Sequence, residues 1–295
     1  MTSNDTFDET LIDHYTDAEL AQHFARSPRL ITTREERGVF ALSPGLVAKR
    51  IPFDEDYRDQ VSALERARSV GVNVPLVRRI LCLPDSNPII IMDRIQGETL
   101  EQCWHRIGLW GTLNIAWQLR SFLRGMGTVT SQTTGGLHTG AGRSEWLQAY
   151  YPLIPHASPA AFAGYVNWWL LECRPDICIP RPELVLSPAR QHVLVHQDLA
   201  PRNMILDTAG RLWLVDFGEA GFYPPFMEYL GMKLTHIPWL YEPTWAAWWG
   251  RMRWSLLQWI ACGPRRGYGE AYNALCVVRQ RSLRYRMQKT PFSEL

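Results

Sequence analysis

Four polar side chains crowd one turn-rich run of this chain, VLVHQDLAPRNMILDTAGRLWLVDFGEAGFYPPFME over residues 193–228: His196, Asp198, Asn203 and Asp216. Residues 193–195 are a brief apolar run, suited to a buried strand that delivers His196 and Asp198 to an edge. Residues 204–206 and 212–215 are two more, and the intervening DTAGR is turn chemistry between hairpin strands. Such a hairpin sets Asn203 just before one strand and Asp216 just after the other, so that their side chains can converge. An amide oxygen and a carboxylate are hard ligands, and a magnesium ion that keeps waters and substrate phosphates takes only one or two protein carboxylates. Asp198 then lies close to the metal without ligating it. A carboxylate there can accept a hydroxyl proton while a phosphoryl group moves, a reaction governed by positioning and electrostatics.

The run HQDLAPRN has the HxDxxxxN form of the kinase catalytic loop, and Asp216, Phe217 and Gly218 follow as DFG at kinase spacing. VDFGEAGFYPP resembles the aminoglycoside phosphotransferase family, the small-molecule branch of the kinase-like fold, and especially its many fungal members. The resemblance implies an α+β, bilobal protein-kinase-like fold, with a small antiparallel-sheet N-lobe and a mainly helical C-lobe. It implies ATP and Mg2+ as cofactors and the hydroxyl of a small molecule as acceptor. Asp198 is implied as the catalytic base, Asn203 and Asp216 as magnesium ligands, and His196 as a brace of the loop. Gln197 stands where many relatives carry glycine or arginine.

The elements that must position these groups are legible in part. Residues 1–29 alternate acidic and apolar positions around Leu11, Ile12, Leu20 and Phe24, as in one or two short helices ahead of the main fold. From Leu30 short strands follow, LIT, GVFAL and LVAKRI, with Ser43, Pro44 and Gly45 turning between the last two. The resemblance puts a phosphate-covering loop around residues 33–38, but TTREERG holds a single glycine, Gly38, so the usual cradle of backbone N–H groups is weak.

Lys49 lies near the end of LVAKRI, where kinase-like proteins place the lysine that neutralises nucleotide phosphates; alternation sends Arg50 to the opposite face. An amphipathic helix over about 54–70 carries Val61, Leu64, Ala67 and Val70 at helical spacing and stops at Gly71. The position resembling the family's lysine-holding glutamate is Gln60, an uncharged and therefore weaker acceptor. The apolar strand over 89–92 ends at Met92 and leads into DRIQGETL. This resembles the family's hinge, with backbone groups of Asp93 to Ile95 pairing the adenine edge and the lobe boundary near Gln96. The expected division is a helical extension over 1–29, a nucleotide-binding N-lobe over 30–95, and a C-lobe over 96–295 with the catalytic loop, metal site and substrate pocket.

Residues 99–130 read as helical, with Leu109, Leu113, Ile115, Leu119, Phe122 and Leu123 on one face. SQTTGGLHTGAGRS, 131–144, is either a mobile cover over the substrate or a disordered connection. A second helix covers about 160–173. Beyond the DFG run, Glu219 stands one place after the glutamate of the relatives' DWE, and Glu228 either meets a cationic or hydroxylated substrate or braces the next helix. Trp245, Trp248 and Trp249, and Leu256 with Trp259, fall at helical steps, as a core stripe or as walls of an acceptor pocket. Arg279 opens a basic tail running to Lys289.

With 46% hydrophobic residues the chain can build a substantial core, and 31 basic against 29 acidic side chains give no electrostatic case for nucleic acid. Six cysteines show neither CxxC nor zinc-type spacing, as expected of reduced, mostly buried thiols inside a cell. The polar N-terminus lacks a secretory pattern, and Arg251 and Arg253 interrupt the most apolar late window. A soluble cytoplasmic protein with no membrane and no evident protein partner is the expectation. A protein kinase is disfavoured by FYPP where an APE segment is wanted. The competing reading is a kinase-like protein that binds a nucleotide or metabolite without phosphorylating anything, or one repurposed in a biosynthetic pathway.

Overall fold

A computed structural model describes residues 7–31, 38–53, 55–84, 86–147, 152–233, 240, 242–263 and 267–285. Residues 33–37 of the expected phosphate-covering loop lie outside them, as do Trp239 and the end of the basic tail.

Helix α1 (Asp17–Arg26) starts with a capping box: Thr16 Oγ1 accepts from the Glu19 N–H at 3.3 Å, and the Glu19 carboxylate accepts from the Thr16 N–H at 2.8 Å. Leu20 and Phe24 on its buried face pack against Leu42, Leu46, Ala48, Leu81 and Ile91. The helix thus covers one face of an antiparallel sheet made by β1 (Arg29–Ile31), β2 (Gly38–Ala41), β3 (Leu46–Arg50), β4 (Val77–Leu81) and β5 (Ile89–Asp93), in the order β1-β2-β3-β5-β4. Strand β4 is not legible in the sequence. Its VRRIL pattern is tolerated because β4 is an edge strand, where charge is common, and Arg79 and Arg78 reach Asp17 at 2.8 Å and Asp93 at 2.6 Å.

Helix α2 (Tyr57–Ser69) follows β3, capped by Asp56, whose carboxylate accepts from the Arg58 N–H at 2.9 Å. Its stripe of Ala63, Leu64 and Ala67 packs with Leu194, Leu199, Leu214 and Phe217 from the other half of the chain. The helix that carries Gln60 is therefore seated on the catalytic run itself.

The second half is mainly helical. Strand β6 (Gly97–Thr99) leads into α3 (Leu100–Cys103) and α4 (Leu109–Met126), so the helical stretch expected over 99–130 is broken before Gly108, which opens α4. Then come β7 (Thr130–Ser131), α5 (Pro159–Leu171), β8 (His192–Val195), β9 (Met204–Asp207), β10 (Leu212–Leu214), β11 (Gly221–Tyr223), α6 (Phe226–Lys233), α7 (Trp245–Cys262) and α8 (Tyr268–Arg284). The expected hairpin is present: β9 and β10 pair antiparallel with Met204 opposite Leu214. Strands β6, β9 and β10 form one small sheet, and β7, β8 and β11 another. Among the described residues no helix is long and apolar enough to cross a membrane.

The loop over 131–144 is neither a loose cover nor disordered. Gly135 exchanges both backbone hydrogen bonds with Phe222 of β11, at 3.0 and 2.8 Å. Its φ of +106° brings it so close to the returning chain that a Cβ would stand 2.1 Å from the Gly140 oxygen. Asp59 of α2 then accepts from the His138 N–H at 2.6 Å, the Thr139 N–H at 2.9 Å and the Thr139 hydroxyl at 2.5 Å. Asp59 is buried, so this carboxylate ties the strap to the upper half of the molecule.

Asp59→Ala is expected to strand those three donors and to lower stability by about 2 kcal/mol or more. Denaturant unfolding measures the loss, and faster proteolytic cleavage within 134–144 locates it.

Candidate active site

Strand alternation on β3 turns Lys49 toward the catalytic run and puts Arg50 on the other face, over the rings of Phe24 and Phe40 at 5.2 and 5.8 Å. Lys49 Nζ donates to Gln60 Oε1 at 2.9 Å and lies 2.6 Å from Asp216 Oδ1. The surrounding protein disfavours charge on Asp216, but the adjacent ammonium more than reverses this, holding the carboxyl at about 2. Asp216 is therefore ionised at any physiological pH. Its backbone is left-handed, φ +64°, a conformation costly for a non-glycine residue, as is that of Gln197 at φ +67°.

Bonds on every side hold the catalytic loop. His196 is fully buried; its Nδ1 accepts from the Asp198 N–H at 3.2 Å, which leaves Nε2–H to donate to the Val215 carbonyl at 3.0 Å. Burial lowers its pKa, so the ring is neutral and acts as a strut between the loop and the residue before Asp216. Gln197 Nε2 donates to the Glu219 carbonyl at 2.6 Å and to the Arg143 carbonyl at 3.1 Å, joining the loop to the DFG turn and to the strap. Gly231 of α6 presses on the same place, and a Cβ there would stand 2.1 Å from the Gln197 oxygen.

Asn203 Nδ2 donates to the Asp198 carbonyl at 2.9 Å and to Asp198 Oδ2 at 2.7 Å. Its own carbonyl accepts from the Val215 N–H at 3.0 Å, which brings Asn203 beside Asp216. The amide nitrogen thus faces Asp198, and the amide oxygen is the atom that remains for a cation. Among the described residues no three His, Cys, Asp or Glu side chains form a metal-holding group. One amide oxygen with one permanently ionised carboxylate is the sparse, hard donor set that suits magnesium shared with phosphate oxygens.

The contacts around the other expected site residues are as follows. The Asp93 N–H is taken by the Leu76 carbonyl at 3.0 Å and the Arg94 N–H by the Gly45 carbonyl at 2.8 Å. Both of those donors are therefore occupied within the fold, while Met92 is buried opposite Val47. Glu219 enters the network through its backbone carbonyl. Glu228 does not open on the substrate side: its carboxylate is buried and accepts from the His196 N–H, bracing the loop from behind. A cavity of about 350 Å³ also lies on that rear side, lined by Arg120, Thr128, Val193, Val195 and Glu228, and not over Asp198.

Three residues near the site escape a sequence reading. Arg202 places one guanidinium nitrogen 2.8 and 2.7 Å from the two carboxylate oxygens of Asp198; the i,i+4 spacing was its only signal. Glu55 Oε2 and Gln60 Oε1 stand within 3.7 and 3.8 Å of where a Cβ on Gly218 would be, so Glu55 brings a second carboxylate toward Asp216. Arg143 of the strap lies 4.0 Å from Glu55. Only the fold juxtaposes these.

Burial raises the Glu228 carboxyl to about 7, against the hydrogen bonds from the loop backbone that lower it. The folded protein therefore holds this proton between the ordinary carboxylate range and about 7, where the unfolded chain has lost it. That contribution is complete below the unfolded pKa and disappears as pH rises through 7. Glu228→Gln keeps an acceptor for the His196 N–H, so its melting temperature is expected to fall less than wild type's between pH 5 and 8.

The family model described as "Phosphotransferase enzyme family" matches residues 29–273. Among solved structures, aminoglycoside phosphotransferase APH(4)-Ia aligns at 14% identity over 90% of this chain and 89% of its own, with a TM-score of 0.55. A thermostable mutant of that enzyme, in ternary complex with ADP and hygromycin B, aligns at 14% identity over the same shares, with a TM-score of 0.52. No curated protein matches the chain. At this identity the structures speak for the kinase-like fold alone. The family model spans most of the chain, and with it the sheet, the strap and the catalytic run together: this protein belongs to the phosphotransferase enzyme family.

Proposed function

We propose that the protein transfers the terminal phosphoryl group of ATP to a hydroxyl of a small molecule. The observation that carries this reading is the convergence of Lys49 from β3 on Asp216, Asn203 and Asp198 of the run over 193–228. The nucleotide lies between residues 30–95 and 96–295, with its adenine edge along Asp93 to Ile95 and its phosphates toward Lys49. Asp216 and the amide oxygen of Asn203 would hold magnesium, which when bound neutralises phosphate charge.

Asp198 accepts the proton of the acceptor hydroxyl as that oxygen bonds to the terminal phosphorus and the bond to the bridging oxygen of ADP breaks. Asn203 holds the Asp198 carboxylate in place through its amide N–H. Arg202 puts a positive charge against the same carboxylate, so the acceptor hydroxyl must approach beside a guanidinium. His196 and Glu228 fix the loop backbone and touch no reacting atom.

A second reading, a nucleotide-binding protein without phosphotransfer, draws support from Gln60. Lys49 meets an amide there, so α2 adds no charge to the pair. Titration calorimetry with ATP and magnesium, followed by ADP release across a panel of hydroxylated small molecules, separates the two. Turnover on any panel member, lowered by roughly 10² to 10⁴ in Asp198→Ala with ATP affinity kept, is the expected result. Tight magnesium-dependent binding with no turnover on the whole panel favours the second reading, and full activity in Asp198→Ala removes that residue as the base.

A further inference from the structure

Helix α7 is apolar on both sides. Ala247, Gly250, Trp254, Leu257 and Ala261 face inward, where Trp254 meets Trp104 edge to face at 5.5 Å. On the opposite side Trp245, Trp248, Trp249, Met252 and Trp259 are exposed, Trp245 by 73% and Trp259 by 59%. Of the stripe expected as core or as acceptor-pocket wall, the tryptophans face out and Leu256 packs against the core. A contiguous exposed aromatic surface, opposite a buried face that also holds Arg253 and Gln258, is the informative departure from ordinary globular packing.

The stripe is built to meet another helix. Positions 245, 252 and 259 are seven apart, the repeat that keeps one seam facing a partner helix. The rings are pre-ordered, Trp245 stacking on Trp248 at 4.6 Å and 24°. On the neighbouring α4, Trp110 and Trp117 are also exposed. At roughly 200 Å² per fully exposed aromatic side chain, the exposed fractions on the two helices leave on the order of 700 Å² of ring surface, close to the ~800 Å² per partner of a specific protein interface.

Charge argues against a lipid surface. Helices that lie on membranes carry lysine or arginine along their polar face. On α7 there is no lysine, and both arginines serve backbone carbonyls: Arg251 bonds Leu240, and Arg253 bonds Ile107 and Trp104. A neutral, self-similar aromatic seam of dimer size fits a second copy of the same chain, packed about a two-fold axis.

We infer that α7, flanked by α4, is a self-association surface through which two copies of the chain pair. In sedimentation velocity at micromolar concentration the full chain is expected at twice its 34.0 kDa mass. Met252→Arg combined with Trp259→Arg changes two exposed side chains, so circular dichroism should be unchanged while self-association weakens at least tenfold. Should that variant misfold, Ser255→Cys, exposed near the middle of α7, gives a second reading. A bismaleimide should then join two copies well above the wild-type background set by exposed Cys82. A wild-type chain that stays single at all concentrations, a dimer unaffected by both arginines, or no crosslinking at 255 overturns the inference. Vesicle flotation and a chain ending at residue 285 would then tell whether lipid or residues 286–295 cover the stripe.

Discussion

The ion pair between Lys49 and Asp216 joins residues 167 positions apart and fixes how the two halves of this protein meet. One partner comes from the middle of an antiparallel sheet, the other from a turn after a hairpin in the helical half. At 2.6 Å the pair keeps Asp216 charged. An electrostatic contact alone would be screened at a partly open site. It is registered by apolar packing: α2 buries Ala63, Leu64 and Ala67 against Leu194, Leu214 and Phe217, so Gln60 and Asp216 are held to one core.

The strap over 134–144 makes the same connection from the other side. Its N–H groups end on Asp59 of α2, and its Arg143 carbonyl accepts from Gln197 of the catalytic loop and from the Tyr223 hydroxyl at 2.8 Å. Two left-handed residues, Gln197 and Asp216, are tolerated because these bonds over-determine them. Around these backbone conformations stand a neutral His196, a buried Glu228, and a glycine at 231 that lets α6 come close.

At 14% identity a solved aminoglycoside phosphotransferase shares the kinase-like fold with this chain. Much of the strap is backbone bonding that many sequences can supply. The exposed aromatic face of α7 is of another kind. Its rings make none of the hydrogen bonds that hold Lys49, Asp198, Asn203 and Asp216, and self-association would take them out of water.

The sequence by itself determined the catalytic run. HxDxxxxN and DFG at fixed spacing, with apolar runs and a turn between them, are local patterns, and a hairpin converts local spacing directly into convergence of Asn203 and Asp216. Alternation likewise sorted Lys49 from Arg50, because side-chain direction in a strand follows from position alone. What the sequence left undecided depends on partners distant in the chain. Strand β4 is hidden by its arginines, whose acids lie at Asp17 and Asp93; the glycine-rich loop looks mobile until Asp59 gathers its N–H groups. Glu228 reads equally as a substrate ligand or a brace, and only burial behind His196 decides between them. The tryptophans of α7 have the spacing of a core stripe, yet periodicity states only that one face is apolar. Which face the core takes is settled by the packing of α4 and Trp104 on the other side.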